Sequence, residues 1–189
     1  MTDPYSDERT GVLLNKPGIR DKAKLAAFER MVTTITIVEL RKRKYKEYSF
    51  ETVKEIHKNI FEKVYAWAGI PRTVEISKGG TGFCRSMFIE SAAQDMFVKL
   101  GKKGFLKGLD CEAFCAEAAR FFCDLNMLHP FREGNGRMQR ELIFHLARNA
   151  GYVLDLSMAD KDRYLRASVS GIEDASEIRA VMRELIEPL

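Results

Sequence analysis

The sequence predicts an all-α domain that carries one small β-hairpin. Apolar residues recur at helical spacing along most of the 189-residue chain. Only residues 72–83 alternate β-branched and polar side chains before a glycine-rich turn, which is the pattern of a short hairpin. Because a lone hairpin is marginally stable, we expect it to form a flap over a groove and not a core sheet.

Seven helices are predicted from the spacing of apolar residues and from capping residues at their ends. In chain order they are residues 21–40, a helix that follows the N-cap Ser49 and extends through Val64, residues 89–100 stopped by Gly101, residues 110–128, a helix from Arg137 to a C-terminal Gly151, a helix capped by Ser157 with Asp160 in its first turn, and residues 173–186. No repeat, low-complexity segment or linker divides them, so we predict one domain over residues 1–189.

Composition limits the location and the partners of the chain. The apolar fraction is 46%, which is enough for a core. No apolar run is long enough for a membrane span, and the polar residues 1–16 predict no signal peptide. Three of the four cysteines fall on one helical face without a CxxC pair, which favours reduced core thiols of a cytosolic protein over a metal site.

The net charge of +4 leaves nucleic acid as a partner to consider. Basic residues cluster at 41–44 and 102–103, where they could contact nucleic acid or an acidic protein. No nucleic-acid-binding motif accompanies them, and cations are common at helix C-termini. We therefore predict solvated helix ends and no direct nucleic-acid binding.

The segment LHPFREGNGRMQR at residues 128–140 carries the chemistry. Pro130 disfavours helical geometry at His129, so one helix ends there and another begins near Arg137. Gly134, Asn135 and Gly136 then lie at a helix N-terminus, where unpaired N–H groups and the helix dipole attract phosphate. A capped turn between two helices is the structural alternative to this phosphate site.

Charged side chains in the same segment complete a nucleotide site. Arg137 and Arg140 are three residues apart, so their guanidinium groups can bind neighbouring phosphates. Glu133 suits a Mg²⁺ ion held between a carboxylate and phosphate oxygens. His129 can take up a proton near neutral pH. Together these groups predict a nucleotide-dependent transfer reaction.

The sequence HPFREGNGRMQR resembles the signature HPFx[D/E]GNGRxxR of the Fic family at every defining position. The Trp67-Ala68-Gly69 triplet and the hairpin segment are also similar to Fic sequences, and the resemblance covers about residues 10–170. It implies a Fic-like core over those residues, with C-terminal helices to residue 189. It also implies AMPylation, in which AMP moves from ATP to a protein Ser, Thr or Tyr hydroxyl and pyrophosphate leaves.

The resemblance assigns roles by position. His129 would be the base, Glu133 would hold Mg²⁺ on ATP, and Gly134, Asn135, Gly136, Arg137 and Arg140 would bind the phosphates. The flap would dock the target protein through added strand pairing. Its implied docking residues are Ile76, Ser77, Lys78, Gly79, Gly80 and Thr81.

The sequence leaves several alternative functions open. Fic relatives that phosphorylate carry lysine where this chain has Gly136, and others transfer phosphocholine; a catalytically silent nucleotide-binding module is a further class. Many Fic proteins also contain an inhibitory motif, [S/T]xxxE[G/N], whose glutamate pairs with the arginine at the position of Arg140. Here only Glu133 is followed by Gly or Asn. The resemblance therefore implies a toxin or effector restrained by a separate small helical antitoxin, either cytoplasmic in a bacterium or secreted into a host cell.

Overall fold

A computed structural model describes residues 3–78, 81–171 and 174–189. In these residues the helices are α1 Lys22–Leu40, α2 Phe50–Phe61, α3 Ile89–Lys102, α4 Cys111–Leu128, α5 Asn135–Ala150, α6 Lys161–Ser170 and α7 Ser176–Leu185. The strands are β1 Ser77–Lys78, β2 Thr81–Gly82, β3 Tyr152–Val153 and β4 Glu187–Pro188. The predicted fold class, helical with a small hairpin, is confirmed.

The core is built around α2, α4 and α5. Helix α5 packs against both α2 and α4, while α1 covers α2, and α3 and α7 cover α4. Ile56, Phe122 and Leu142 each have no exposed surface and represent these three helices in the centre. Burial of such side chains contributes roughly 1.5–3 kcal/mol each. This packing brings the C-terminus of α4 and the N-terminus of α5 together at one surface loop.

Three helix starts agree with the capping residues that the sequence offers. Asp21 accepts a hydrogen bond from the Lys24 N–H at 2.8 Å, and Asp110 accepts one from the Ala113 N–H at 2.8 Å. Ser49 forms a capping box with Thr52. Each such cap is worth about 1 kcal/mol, so local chemistry is sufficient to fix these boundaries.

Two predicted helix ends are wrong. Helix α2 ends at Phe61, because the chain turns there and the Val64 carbonyl accepts a hydrogen bond from Lys16 N–H at 2.7 Å. Gly101 does not stop α3, which continues to Lys102. The glycine that turns the chain is Gly104, whose φ is 61°.

The start of α6 also differs from the prediction. Ser157 lies in a short 3-10 turn, where its N–H is bonded to Asp155. Asp160 is the N-cap, and it accepts a hydrogen bond from the Arg163 N–H at 2.9 Å. The predicted first residue of the last helix, Glu173, lies outside the described residues; within them α7 begins at Ser176.

The paired part of the hairpin is shorter than the sequence predicted, and a second strand pair is present elsewhere in the fold. The predicted hairpin is confirmed, but its described pairing is limited to Ser77 with Gly82 and Lys78 with Thr81. A second antiparallel ladder, β3 with β4, was not predicted. It ends α7 at Leu185, because the following residues extend to pair beside the end of α5.

The first residue of the basic cluster at residues 41–44 is used inside the fold, and the other three are exposed. Arg41 binds Glu141 at 2.7 Å and Asp155 at 2.6 Å, which fastens the end of α1 to α5. Arg43 pairs with Glu55 at 2.8 Å on the surface. The predicted solvated helix end thus describes Arg43, whereas Arg41 is held in ion pairs within the fold. Among the described helices, none combines the length and hydrophobicity that a membrane span requires.

Candidate active site

His129 terminates α4 in a left-handed conformation. Its φ is 42° and its ψ is 61°, and its N–H still donates to the Leu125 carbonyl at 3.2 Å. The following Pro130 disfavours the helical conformation at His129, so the helix ends as predicted. A non-glycine residue in this region costs of order 1–3 kcal/mol and persists only where its surroundings hold it.

The hydrogen bonding of the His129 imidazole fixes its tautomer. Nδ1 lies 3.2 Å from the Asn126 carbonyl oxygen. Because a carbonyl only accepts, Nδ1 carries the proton and Nε2 keeps its lone pair. Nε2 is therefore the atom that can accept a proton from a substrate.

The surroundings of His129 keep its imidazole neutral. Its pKa is lowered to about 4, mainly by burial; the hydrogen bond to the Asn126 carbonyl opposes this shift, and the nearby charges of Arg72 and Lys78 add to it. The Phe83 ring stacks on the imidazole with centroids 3.8 Å apart. At neutral pH the group is thus in the unprotonated form that a general base requires.

The loop after His129 presents backbone N–H groups at the start of α5. Gly134 is the N-cap, with a φ of 84°. In the described part of the chain, the N–H groups of Asn135, Gly136 and Arg137 have no acceptor. The Asn135 side chain turns inward instead and closes the loop, bonding Phe131 at 2.7 Å and 3.0 Å. The arrangement leaves three N–H donors at a helix N-terminus, where an anion could accept from them.

The two glycines of the loop differ in the space around them. A Cβ on Gly134 would lie 2.3 Å from the Phe61 ring, and the positive φ would strain it further. A Cβ on Gly136 would meet only the Arg140 guanidinium, at 3.8 Å. Gly134 is therefore a packing requirement, whereas the space above Gly136 is open toward the cavity.

Arg137 and Arg140 differ in how the fold holds them. Arg137 binds Glu29 of α1 at 2.6 Å and lies over the Phe61 ring at 4.6 Å. Arg140 lies over the Tyr164 ring at 5.6 Å, and no carboxylate in the described residues is within 4.0 Å of it. Arg140 can thus offer its whole guanidinium to an anion, while Arg137 is already oriented by α1.

Glu133 lies at the solvent edge of the same loop. Its side chain is 47% exposed, and one carboxylate oxygen accepts from the Gly134 N–H at 2.9 Å. The described residues contain no cluster of three acidic, histidine or cysteine side chains that could hold a metal by itself. A single carboxylate beside a phosphate site fits Mg²⁺, which takes most of its remaining ligands from phosphate and water.

His57 holds this loop through a hydrogen bond to its backbone. This residue was not identified from the sequence. Its Nδ1 accepts from the Gly69 N–H at 2.9 Å, so Nε2 is protonated and donates to the Glu133 carbonyl at 3.0 Å. Burial lowers its pKa to about 3, which preserves this neutral tautomer. Gly69 was noticed only as part of a family-like triplet. It is glycine because a Cβ would lie 2.9 Å from the backbone oxygen of Lys54.

His129 and the loop that follows it line one open cavity of about 790 Å³. The lining comes from this loop and the α5 N-terminus, from the hairpin, and from Tyr164 and Val169 of α6. The structure therefore brings together on one cavity the predicted residues His129, Glu133, Gly134, Asn135, Gly136, Arg137 and Arg140.

The predicted flap residues are only partly described. Ile76, Ser77 and Lys78 line the cavity. The backbone of Thr81 pairs with Lys78, whereas residues 79 and 80 lie outside the described part of the chain. The hairpin thus lies beside His129, and Phe83, which follows its second strand, stacks on the imidazole.

A model of the Fic/DOC family matches residues 47–147, which include both His57 and the loop. This chain belongs to the Fic/DOC family. It is 33% identical to a probable protein adenylyltransferase, y4lH, of Sinorhizobium fredii over 98% of this chain and 97% of that protein. It is 38% identical to the protein adenylyltransferase VbhT of Bartonella schoenbuchensis over 95% of this chain. It spans only 38% of the length of VbhT.

Solved Fic structures share the fold. The BepC protein of Bartonella tribocorum, a VirB-translocated effector solved with bound AMPPNP, superposes with a TM-score of 0.91 at 25% identity. The match covers 98% of this chain and 97% of that structure. The helical architecture and the hairpin are thus those of a Fic domain.

Proposed function

We propose that this Fic-family chain is a protein adenylyltransferase, which moves AMP from ATP to a Ser, Thr or Tyr hydroxyl of a target protein. One observation carries the proposal: the unprotonated Nε2 of His129 and the unpaired N–H groups at the start of α5 belong to the same cavity. A base next to an anion site is the arrangement that hydroxyl attack on a phosphate ester requires. The AMPPNP bound to BepC supports a nucleoside triphosphate as the ligand.

In the proposed reaction, the target hydroxyl gives its proton to Nε2 of His129 while its oxygen bonds to the α-phosphorus of ATP. The bond from the α-phosphorus to the bridging oxygen breaks, and pyrophosphate leaves. The N–H groups of α5 and the guanidinium of Arg140 bind the phosphates and hold the α-phosphorus in line with the hydroxyl. Arg137 adds positive charge to the phosphate site, and its ion pair with Glu29 fixes the position of its guanidinium.

Glu133 is the residue we assign to Mg²⁺, together with phosphate oxygens of ATP. When bound, the ion supplies positive charge that offsets the negative charge of the triphosphate. The chain's own contribution is to aim the carboxylate, which the Gly134 N–H and the carbonyl contact from His57 keep at the edge of the loop.

The hairpin is the proposed docking site for the target. Ser77 and Lys78 are exposed, and a strand of two residues leaves one edge available for pairing. An extended segment of the target could add to that edge, which would place its hydroxyl next to His129. The same assignment covers Ile76, which lines the cavity.

The proposal predicts which phosphate is transferred. Incubation of the chain with bacterial and host-cell lysates and ATP labelled at the α position should label a protein, whereas ATP labelled at the γ position should not. The open space above Gly136 admits the terminal phosphates to the loop and leaves the α-phosphorus facing His129. The His129→Ala variant is the control. Retention of the γ label on the target would indicate kinase-like transfer, and no transfer of either label would favour a silent binding module.

We also propose that a separate small helical protein restrains the enzyme at Arg140, as in a toxin–antitoxin pair. Among the described residues Arg140 has no carboxylate partner, so a partner's glutamate could bind it and compete with a terminal phosphate. This arrangement suits a bacterial cytoplasmic toxin, and equally an effector that is released from its inhibitor after secretion into a host cell.

The restraint is testable with purified proteins. The chain alone should transfer AMP to lysate proteins, and addition of the small protein encoded beside its gene should suppress transfer. A shift of the triphosphate by about 1 Å is enough to cost some 10²-fold in rate. If the isolated chain is silent and removal of either terminus activates it, the inhibitor is internal and this proposal is wrong.

A further inference from the structure

A fully buried arginine lies beneath the hairpin, outside the signature loop. The side chain of Arg72 has 0% exposure. Its Nε donates to the carbonyl oxygen of His129 at 2.9 Å, and its two terminal nitrogens donate to the carbonyls of Val74 at 2.7 Å and Cys84 at 2.5 Å. Its backbone N–H donates to Pro130 at 2.8 Å. One guanidinium therefore contacts the residue proposed as the base and both ends of the hairpin.

The hairpin and His129 are also linked through an aromatic contact. Phe83 follows β2, and its ring stacks on the imidazole at 3.8 Å with an angle of 17° between the planes. The next residue, Cys84, donates its N–H to Met127 of α4 at 2.9 Å. The position of Phe83 over the imidazole thus depends on the segment that Arg72 holds through the Cys84 carbonyl.

Burying the charge of Arg72 has a high desolvation cost, more than a purely structural contact would justify. A buried charge is costly unless it is paired, and the nearest carboxylate, Glu75, is 3.8 Å away and 59% exposed. Burial lowers the pKa of Arg72 for this reason. The planar fork of a guanidinium spreads its donors over three nitrogens and so reaches carbonyls of separate segments, whereas a lysine ammonium offers its donors from one nitrogen and an apolar side chain offers none. It also meets the carbonyl of His129, whose left-handed backbone needs external support.

We propose that Arg72 is a positioning residue, which sets the placement of His129 and of the target-docking hairpin relative to each other. It acts through three carbonyl groups and does not touch the nucleotide, because it is absent from the lining of the cavity. The proposal deepens the transferase function and rests on it.

The test is the conservative variant Arg72→Lys, which keeps the charge and loses the fork. We expect kcat for AMP transfer to fall by about 10- to 100-fold, as for a small misplacement of reacting groups. The KM for the target should rise, because the hairpin base is released. The affinity for ATP should stay unchanged, since the N–H groups of α5 are untouched. In the NMR spectrum, the contact between the Phe83 and His129 rings should weaken even without substrate.

Arg41→Lys is the matched control. Arg41 is partly buried and, like Arg72, bonded through several donors, but its partners Glu141 and Asp155 lie outside the cavity. It should lower the Tm and leave kcat and KM at wild-type values. If Arg72→Lys behaves the same way, with an unchanged ring contact, Arg72 is only structural and the inference is overturned. A wild-type chain that transfers no AMP would overturn the proposed function instead, and the ring contact would still report on the role of Arg72.

Discussion

The His129→Gln variant loses AMP transfer by about 10²- to 10⁴-fold and retains its affinity for ATP. The loss is the size expected when a general base is removed. Nε2 of His129 is the proposed proton acceptor, while the phosphate site consists of backbone N–H groups on α5, which the substitution does not touch. Transfer is measured with α-labelled ATP and a protein target, and ATP affinity by calorimetry on the same preparations.

The matched control is His145→Gln. His145 is also buried, but it lies in α5 outside the cavity, so the same substitution should affect stability and not the rate. Transfer by His129→Gln at the wild-type rate would show that another group accepts the proton. A parallel loss of ATP binding would mean that His129 organises the phosphate site and does not act only as the base.

Substitution of the two loop glycines separates folding from ligand binding. Gly134→Ala should destabilise the chain by about 2–5 kcal/mol, because a positive φ and contact with the Phe61 ring both oppose a Cβ. For a chain of this size the Tm should fall by roughly 5–15 °C. Gly136→Ala should leave the Tm nearly unchanged, since its Cβ would make only an ordinary contact with Arg140. The new methyl group should instead weaken ATP binding, because it projects toward the phosphate site.

Thermal unfolding and ATP titration of both variants test whether Gly134 acts in packing and Gly136 in ATP binding. Each variant serves as the control for the other. An unfolding midpoint for Gly134→Ala equal to that of the wild type would contradict the packing role. Normal ATP affinity in Gly136→Ala would mean that the phosphates do not approach the loop at this residue.

Much of the fold could be predicted because its causes are local. Asp21, Ser49 and Asp110 cap their helices with their own side chains, so a short window of sequence is sufficient. The prediction failed where two candidates compete for one role. Ser157 and Asp160 are both good N-caps, and the bond from Ser157 N–H to Asp155 decides against the first.

The candidate site was predictable to the extent that its chemistry is contiguous in the chain. A base, a carboxylate, two glycines and two arginines within residues 129–140 are enough to indicate a phosphate-transfer site. Their number within a short segment made a simple capped turn a poor explanation. The hairpin was also predictable, because the alternation of β-branched and polar residues and the glycine-rich turn are both local features of the sequence.

The sequence by itself therefore determined the helical fold class, the family signature and the position of the candidate active-site loop. Only the tertiary structure decided the tautomers of His129 and His57, the pairing of Arg137 with Glu29, and the carbonyl partners of Arg72. The physical reason is that capping and motif chemistry act between near neighbours. The state of a buried donor or charge is instead set by acceptors from distant segments, and only packing brings those acceptors into contact.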